Sequence, residues 1–110
     1  ILASPVYFAD VSAQIKALID RAGMTAIAND SMFRRKLGAS VVAARRGGAI
    51  HTFHSLNNFF FISQMIVPGS SYWNMGFGLE PGDVEKDEEA QDTMATLGKN
   101  MAWLLEKTSS

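Results

Sequence analysis

Three stretches of the sequence combine residue types able to hold a heterocyclic or anionic ligand. Ser4-Pro5-Val6-Tyr7-Phe8 sets a rigid proline and two aromatic rings beside backbone N–H and C=O groups just ahead of a helical pattern. An aromatic heterocycle can stack on such a segment and be read by main-chain hydrogen bonds; the competing reading is that Tyr7 and Phe8 merely cover the end of a sheet. Arg45-Arg46-Gly47-Gly48 joins two cations to two glycines, which permit close backbone approach and positive φ. At a helix start, such a turn can hold an anion or the electron-rich edge of a ring. It lacks the spacing of the G-x-x-x-x-G-K-S/T and G-x-G-x-x-G loops, and a solvated basic turn is the alternative. The third stretch, Gly69 to Gly78, carries Tyr72 and Trp73, and Trp73 is either a mobile aromatic over a pocket or a loop anchor.

Other chemistries find less support. His51 and His54 stand three apart with no Asp, Glu or Cys placed as an obvious third metal ligand. Ser12 and Ser40 lack a G-x-S-x-G setting, and the carboxylates concentrate in the last helical segment as a solvated face. Cys 0 removes disulfides, a thiolate nucleophile and cysteine metal ligands from these residues. An enzyme built from them needs a bound cofactor to carry the chemistry.

The elements that position these stretches follow from periodicity. Val11, Ile15, Leu18, Ile19 and Ala22 recur at steps of three and four, which predicts a helix over 11–22 with Asp10 as N-cap and Gly23 just past its end. Ala39 to Ala44 is short, small and β-branched, as in a strand buried on both faces. Ile50, Phe53, Leu56, Phe60 and Gln64 form one helical stripe, widened by Phe59, Phe61 and Ile62. Ile66-Val67 reads as a brief strand, Pro68 to Asp83 as a long irregular loop, and a last helix opens on Glu85-Lys86-Asp87-Glu88-Glu89 with Met94, Leu97, Met101, Leu104 and Leu105 on its buried face. Strands alternating with helices imply a parallel sheet with helices on its faces. Ligands then bind beyond the carboxyl ends of the strands, where all three stretches are expected to arrive.

A length of 110 residues, 47% hydrophobic and 19% charged, suits one globular domain over 1–110. A net charge of -1 gives no electrostatic reason for nucleic acid or an anionic membrane as partner. The longest apolar run, Phe59 to Ile62, is far shorter than a membrane span. A cysteine-free chain without a secretion signal fits the cytoplasm. Only about three residues of the first strand are present, fewer than strands usually have, so the native protein is expected to continue upstream of Ile1.

Ser4-Pro5-Val6-Tyr7-Phe8-Ala9-Asp10-Val11-Ser12-Ala13-Gln14-Ile15-Lys16, with Asp20-Arg21, resembles the segment after the third strand of flavodoxin-like NAD(P)H-dependent FMN reductases. The resemblance continues through Ala44 to Gly48 and Pro68 to Ser71, and is nearest to the iron-sulfur flavoprotein and quinone-reductase branches. It implies an α/β, flavodoxin-like three-layer αβα fold with a parallel sheet, of which this chain holds the C-terminal part without the first strands. Ser4, Pro5, Val6, Tyr7 and Phe8 would wrap the dimethylbenzene and ring edges of FMN, with Ser12 of the same motif among the cofactor-binding residues. Arg45, Arg46, Gly47 and Gly48 would face the pyrimidine edge through backbone N–H groups, Gly47 being the residue expected to need positive φ. NAD(P)H would be the co-substrate, a quinone, flavin or other small molecule the electron acceptor, and the protein a homodimer or homotetramer, with Phe59, Phe60, Phe61 and Trp73 at the interface. The family's phosphate loop after its first strand has no counterpart in these residues. A non-catalytic flavodoxin-type electron carrier and a ligand-free scaffold are the alternatives.

Overall fold

A computed structural model of the chain describes residues 1–109. Its elements are β1 (Leu2–Pro5), α1 (Ala13–Ala28), β2 (Ser40–Ala44), α2 (Ala49–Ile62), β3 (Met75–Phe77), a 3-10 turn (Val84–Lys86) and α3 (Glu88–Thr108). The strands form one parallel sheet in the order β1-β2-β3. Ala3 pairs with Val41, and Val42 with Met75. Side chains alternate across a sheet, so Val42, Ala44 and Met75 turn to one face and meet Ala49 and Leu56 of α2 in the core, flanked by Val11, Ile15 and Ile19. α1 lies beside α2 on that face, where a Cβ at Gly23 would stand 3.6 Å from the Phe59 ring. α3 takes the other face, since a Cβ on Gly76 would lie 3.3 Å from that of Ala90. Three layers result, as the alternation of elements implies.

Several boundaries differ from the sequence expectations, for local reasons. α1 is capped by Ser12, whose Oγ accepts the Ile15 N–H at 3.3 Å. Asp10 is spent on the preceding turn and does not cap. Gly23 does not end α1, because it does not take the left-handed φ of a helix-terminating glycine and the helix runs on to Ala28. Ile66 makes only a single bridge to Leu37, so Ile66-Val67 is not a strand of the sheet. The third strand is Met75–Phe77, inside the segment expected to be a loop. That shift matters for the site. Pro68 to Asn74 now lies at the amino edge of the sheet, with Tyr72 and Trp73, and Gly78 to Asp83 is what leaves β3 at the carboxyl edge, tied to β2 by Gly78 N–H donating to Ala44 O at 3.0 Å.

The buried face of α2 is Ala49, Thr52, Leu56, Asn57 and Phe60, while Ile50, Phe61 and Ile62 are exposed. Phe60 is 2% exposed and belongs to the core, which removes it from any interface between copies of the chain. α3 starts inside the acidic run, at Glu88 and not at Glu85, with Asp87 Oδ1 accepting the Ala90 N–H at 3.1 Å. Ala90, Thr93 and Leu97 are its buried residues, whereas Leu105 is exposed. Among the described residues no helix is long and apolar enough to cross a membrane.

Candidate functional site

The segments after β1 and β2 lie side by side at the carboxyl edge of the sheet. The N–H of Val6 donates to Ala43 O at 2.9 Å, carrying the pairing past the end of β1. The chain then reverses within four residues: Tyr7 N–H donates to Asp10 O at 2.9 Å and Asp10 N–H to Tyr7 O at 3.1 Å. The two residues between them, Phe8 and Ala9, hold φ of 49° and 62°. A two-residue hairpin with positive φ at both central positions is ordinarily built from Asn-Gly or Asp-Gly, and each L residue there costs about 1–2 kcal/mol. Phe8 is fully exposed and Tyr7 largely so.

On the neighbouring strand, Arg45, Arg46 and Gly47 form an exposed turn leading into Gly48, which has φ 84° and starts α2 without a side-chain cap. The glycine that needs positive φ is therefore Gly48, not Gly47. A Cβ on Gly48 would come within 2.8 Å of Ala9 Cα and 3.0 Å of Val6 Cγ1, so the two loops touch there. A Cβ on Gly47 would meet no protein atom within 4 Å. Between the loops is a cavity of about 320 Å³ lined by Val6, Phe8, Ala9, Arg45, Arg46 and Gly47, at the lower end of small-ligand sites. Neither arginine has an ion-pair partner among the described residues. The first N–H groups of α2 have no helical acceptor of their own, and no acidic residue stands in its first turn.

Of the sequence-nominated residues, Val6, Phe8, Arg45, Arg46 and Gly47 share this cavity. Ser4 and Ser12 are buried beneath it and turned inward: the Ser4 hydroxyl donates to Pro5 O at 2.8 Å and accepts the Ser12 N–H at 3.0 Å. They fasten the loop to the start of α1 and do not line the cavity. Pro5 ends β1, Tyr7 sits outside the cavity on the turn, and Gly48 seals its base against Ala9. Trp73 is on the opposite edge of the sheet and cannot cover the cavity.

Sequence reasoning missed Ala9 and Asp10. The Asp10 carboxylate accepts the Val11 N–H at 2.8 Å and stands 3.5 Å from His51 Nε2. The Ser55 hydroxyl beside it, then the Val11 N–H and then His51, hold its carboxyl below the usual carboxylate range. The spacing of His51 and Ser55, four apart on a helix, is visible in the sequence; that it faces Asp10 is a consequence of the fold. A second, larger groove of about 640 Å³ runs between α1 and α2, walled by Ile19, Met24, Ile27, Phe59 and Ile62.

The chain is similar to proteins already known. A solved structure described as a flavodoxin, WrbA-like protein from Agrobacterium tumefaciens superposes with a TM-score of 0.64 at 16% identity, covering 86% of this chain and 62% of that one. An iron-sulfur flavoprotein of Methanocaldococcus jannaschii is 41% identical over 109 residues, covering 93% of this chain and 55% of that protein. An iron-sulfur flavoprotein of Methanosarcina thermophila is 33% identical over 108 residues, covering 96% of this chain and 55% of its own length. The chain thus spans about half the length of the curated relatives it matches. The sequence model of NADPH-dependent FMN reductases matches residues 1–80. With its flavodoxin-like fold and this match over most of its length, the chain belongs to the NADPH-dependent FMN reductase family.

Proposed function

We propose that the cavity between the Val6–Ala9 and Arg45–Gly47 segments takes the ring system of FMN, and that the protein is an NAD(P)H-dependent oxidoreductase that passes electrons on to a quinone, flavin or other small acceptor. The observation that carries this reading is the meeting of two loops, at the end of the sheet where doubly wound folds bind ligands, around a cavity that joins an aromatic side chain to unpaired cations. These residues fit such a group: Phe8 offers an apolar surface, and Arg45 and Arg46 complement an electron-rich edge. Gly47 leaves room for backbone approach. Bound FMN supplies hydride acceptance and electron transfer; the chain binds, orients and partly desolvates it.

The groove between α1 and α2 supports a homodimer or homotetramer, because Met24, Ile27 and Ile62 leave apolar surface exposed along it. Sedimentation of the whole protein reads that assembly directly. The test of the main reading is the visible absorption spectrum of the purified whole protein. Bands of bound oxidised flavin that bleach on adding NAD(P)H are expected. Bands that do not bleach identify an electron carrier, and their absence after FMN titration identifies a scaffold.

A further inference from the structure

We infer that Asp10 is a positioning residue: it clamps the Tyr7–Asp10 turn against the start of α2 and thereby fixes the wall of the cavity formed by Phe8 and Ala9. The turn cannot owe its shape to its own sequence. Phe8 and Ala9 both occupy the left-handed region, at φ 49° and 62°, where neither residue type is at home. A strained conformation persists only when surrounding contacts over-determine it.

Those contacts converge on Asp10. Its backbone closes the turn through the reciprocal hydrogen bonds with Tyr7. Its side chain reaches the other way, accepting the Val11 N–H at 2.8 Å and lying 3.5 Å from His51 Nε2, with the Ser55 hydroxyl beside it. His51 and Ser55 stand four apart on α2 and so share one face. The helix they sit on begins at Gly48, the residue against which Ala9 packs. One carboxylate therefore ties the turn after β1 to the helix after β2, and the cavity lies between those two segments. Without it, Phe8 and Ala9 are free to relax toward ordinary φ, which moves the Phe8 wall away from Arg45 and Arg46.

The functional part rests on the flavin reading, and the clamp itself does not. The test is amide hydrogen exchange at Tyr7 and residue 10, corrected for intrinsic rates, in the whole protein without flavin, for the wild type, Asp10→Ala and Asp10→Ala combined with Ala9→Gly. Loss of the carboxylate is expected to lower protection at both amides by about tenfold, and glycine at position 9, at home in the left-handed region, to restore most of it. FMN affinity of the same three proteins is expected to fall about tenfold and recover in parallel, with only a small drop in melting temperature. Unchanged protection in Asp10→Ala, or a loss that Ala9→Gly does not repair, overturns the clamp. Lost protection with unchanged FMN affinity overturns the positioning role. A wild-type protein that binds no FMN sinks the flavin reading, while exchange still decides the clamp.

Discussion

The two ends of the sheet are finished in opposite ways. At the amino end, the Ser40 hydroxyl donates to Asn57 Oδ1 at 2.6 Å, Asn74 Nδ2 donates to Ser40 O at 3.0 Å, and the Ser70 hydroxyl closes on Asn74 Oδ1. Ser40, Asn57 and Asn74 are all buried, and among the described residues no buried side-chain nitrogen or oxygen lacks a partner. At the carboxyl end, Phe8 stands fully exposed, two arginines lack carboxylates and a helix starts uncapped, whereas left-handed φ occurs at both ends, at Phe8 and Ala9 here and at Asp30, Ser31, Arg35 and Gln64 at the other. A buried polar group must be satisfied within the protein, and the amino end does so as a structural seam. Open donors are left at the end where a ligand can use them. The same three strands thus carry a closed end that holds the fold and an open end that offers a site.

The sharpest way to break this division is Gly48→Val. Left-handed φ and a Cβ 2.8 Å from Ala9 Cα leave no relaxed solution, so we expect about 3 kcal/mol of lost stability, read as a lowered urea midpoint. A loss under about 0.5 kcal/mol, the range of ordinary surface changes, would mean the loops are not in contact. The next effect comes from the closed end. Asn74→Ala removes the donor to Ser40 O and the acceptor of the Ser70 hydroxyl, at about 2 kcal/mol, with FMN affinity unchanged. A drop in affinity equal to the drop in stability would show that the two ends are not separate.

A smaller effect is expected with acid. Asp10 is held below its ordinary value of 3.8, foremost by the Ser55 hydroxyl, and Asp83 likewise by the N–H groups of Glu80 and Leu79. A carboxylate with a lowered folded pKa contributes stability that is fully present above the unfolded value and is lost as pH falls through the folded one. Asp10→Asn should therefore be less stable than the wild type at pH 6, with the difference shrinking below pH 3.8. Both groups are partly exposed to solvent, so the effect is small. A difference that grows toward acid would contradict the sign.

Most of the fold is legible in the sequence, because it rests on periodicity. The helices over Val11–Ala22 and Ile50–Met65, the strand ending at Ala44 and the parallel alternation all reappear, although the first helix runs past its expected end to Ala28. The third strand is not legible: Met75-Gly76-Phe77 is three residues long, with a glycine at its centre and loop residues on both sides. Ile66-Val67 draws the reading away, since a β-branched pair carries the usual strand signal although it forms one bridge. In the site, the two loops can be read from Pro5, the aromatics and the paired glycines. The turn at Phe8-Ala9 cannot, because it contains none of the residues that mark positive φ; its shape is imposed by Asp10, Gly48 and α2. Which of Gly47 and Gly48 is strained is likewise a matter of tertiary contact.

Gly47 gives the most direct test of the central claim. A side chain there meets no protein atom, yet the residue lines the cavity with Val6, Phe8, Arg45 and Arg46, so its substitution separates ligand from fold. Gly47→Val in the whole protein should shift stability by no more than about 0.5 kcal/mol and weaken FMN binding about tenfold or more, equivalent to about 1.4 kcal/mol. Titration of the apoprotein with FMN, followed by flavin fluorescence beside a thermal melt, reads both. Weakened binding with an unchanged melt is the predicted result; wild-type affinity for FMN in Gly47→Val would contradict a flavin ring bound at the carboxyl edge.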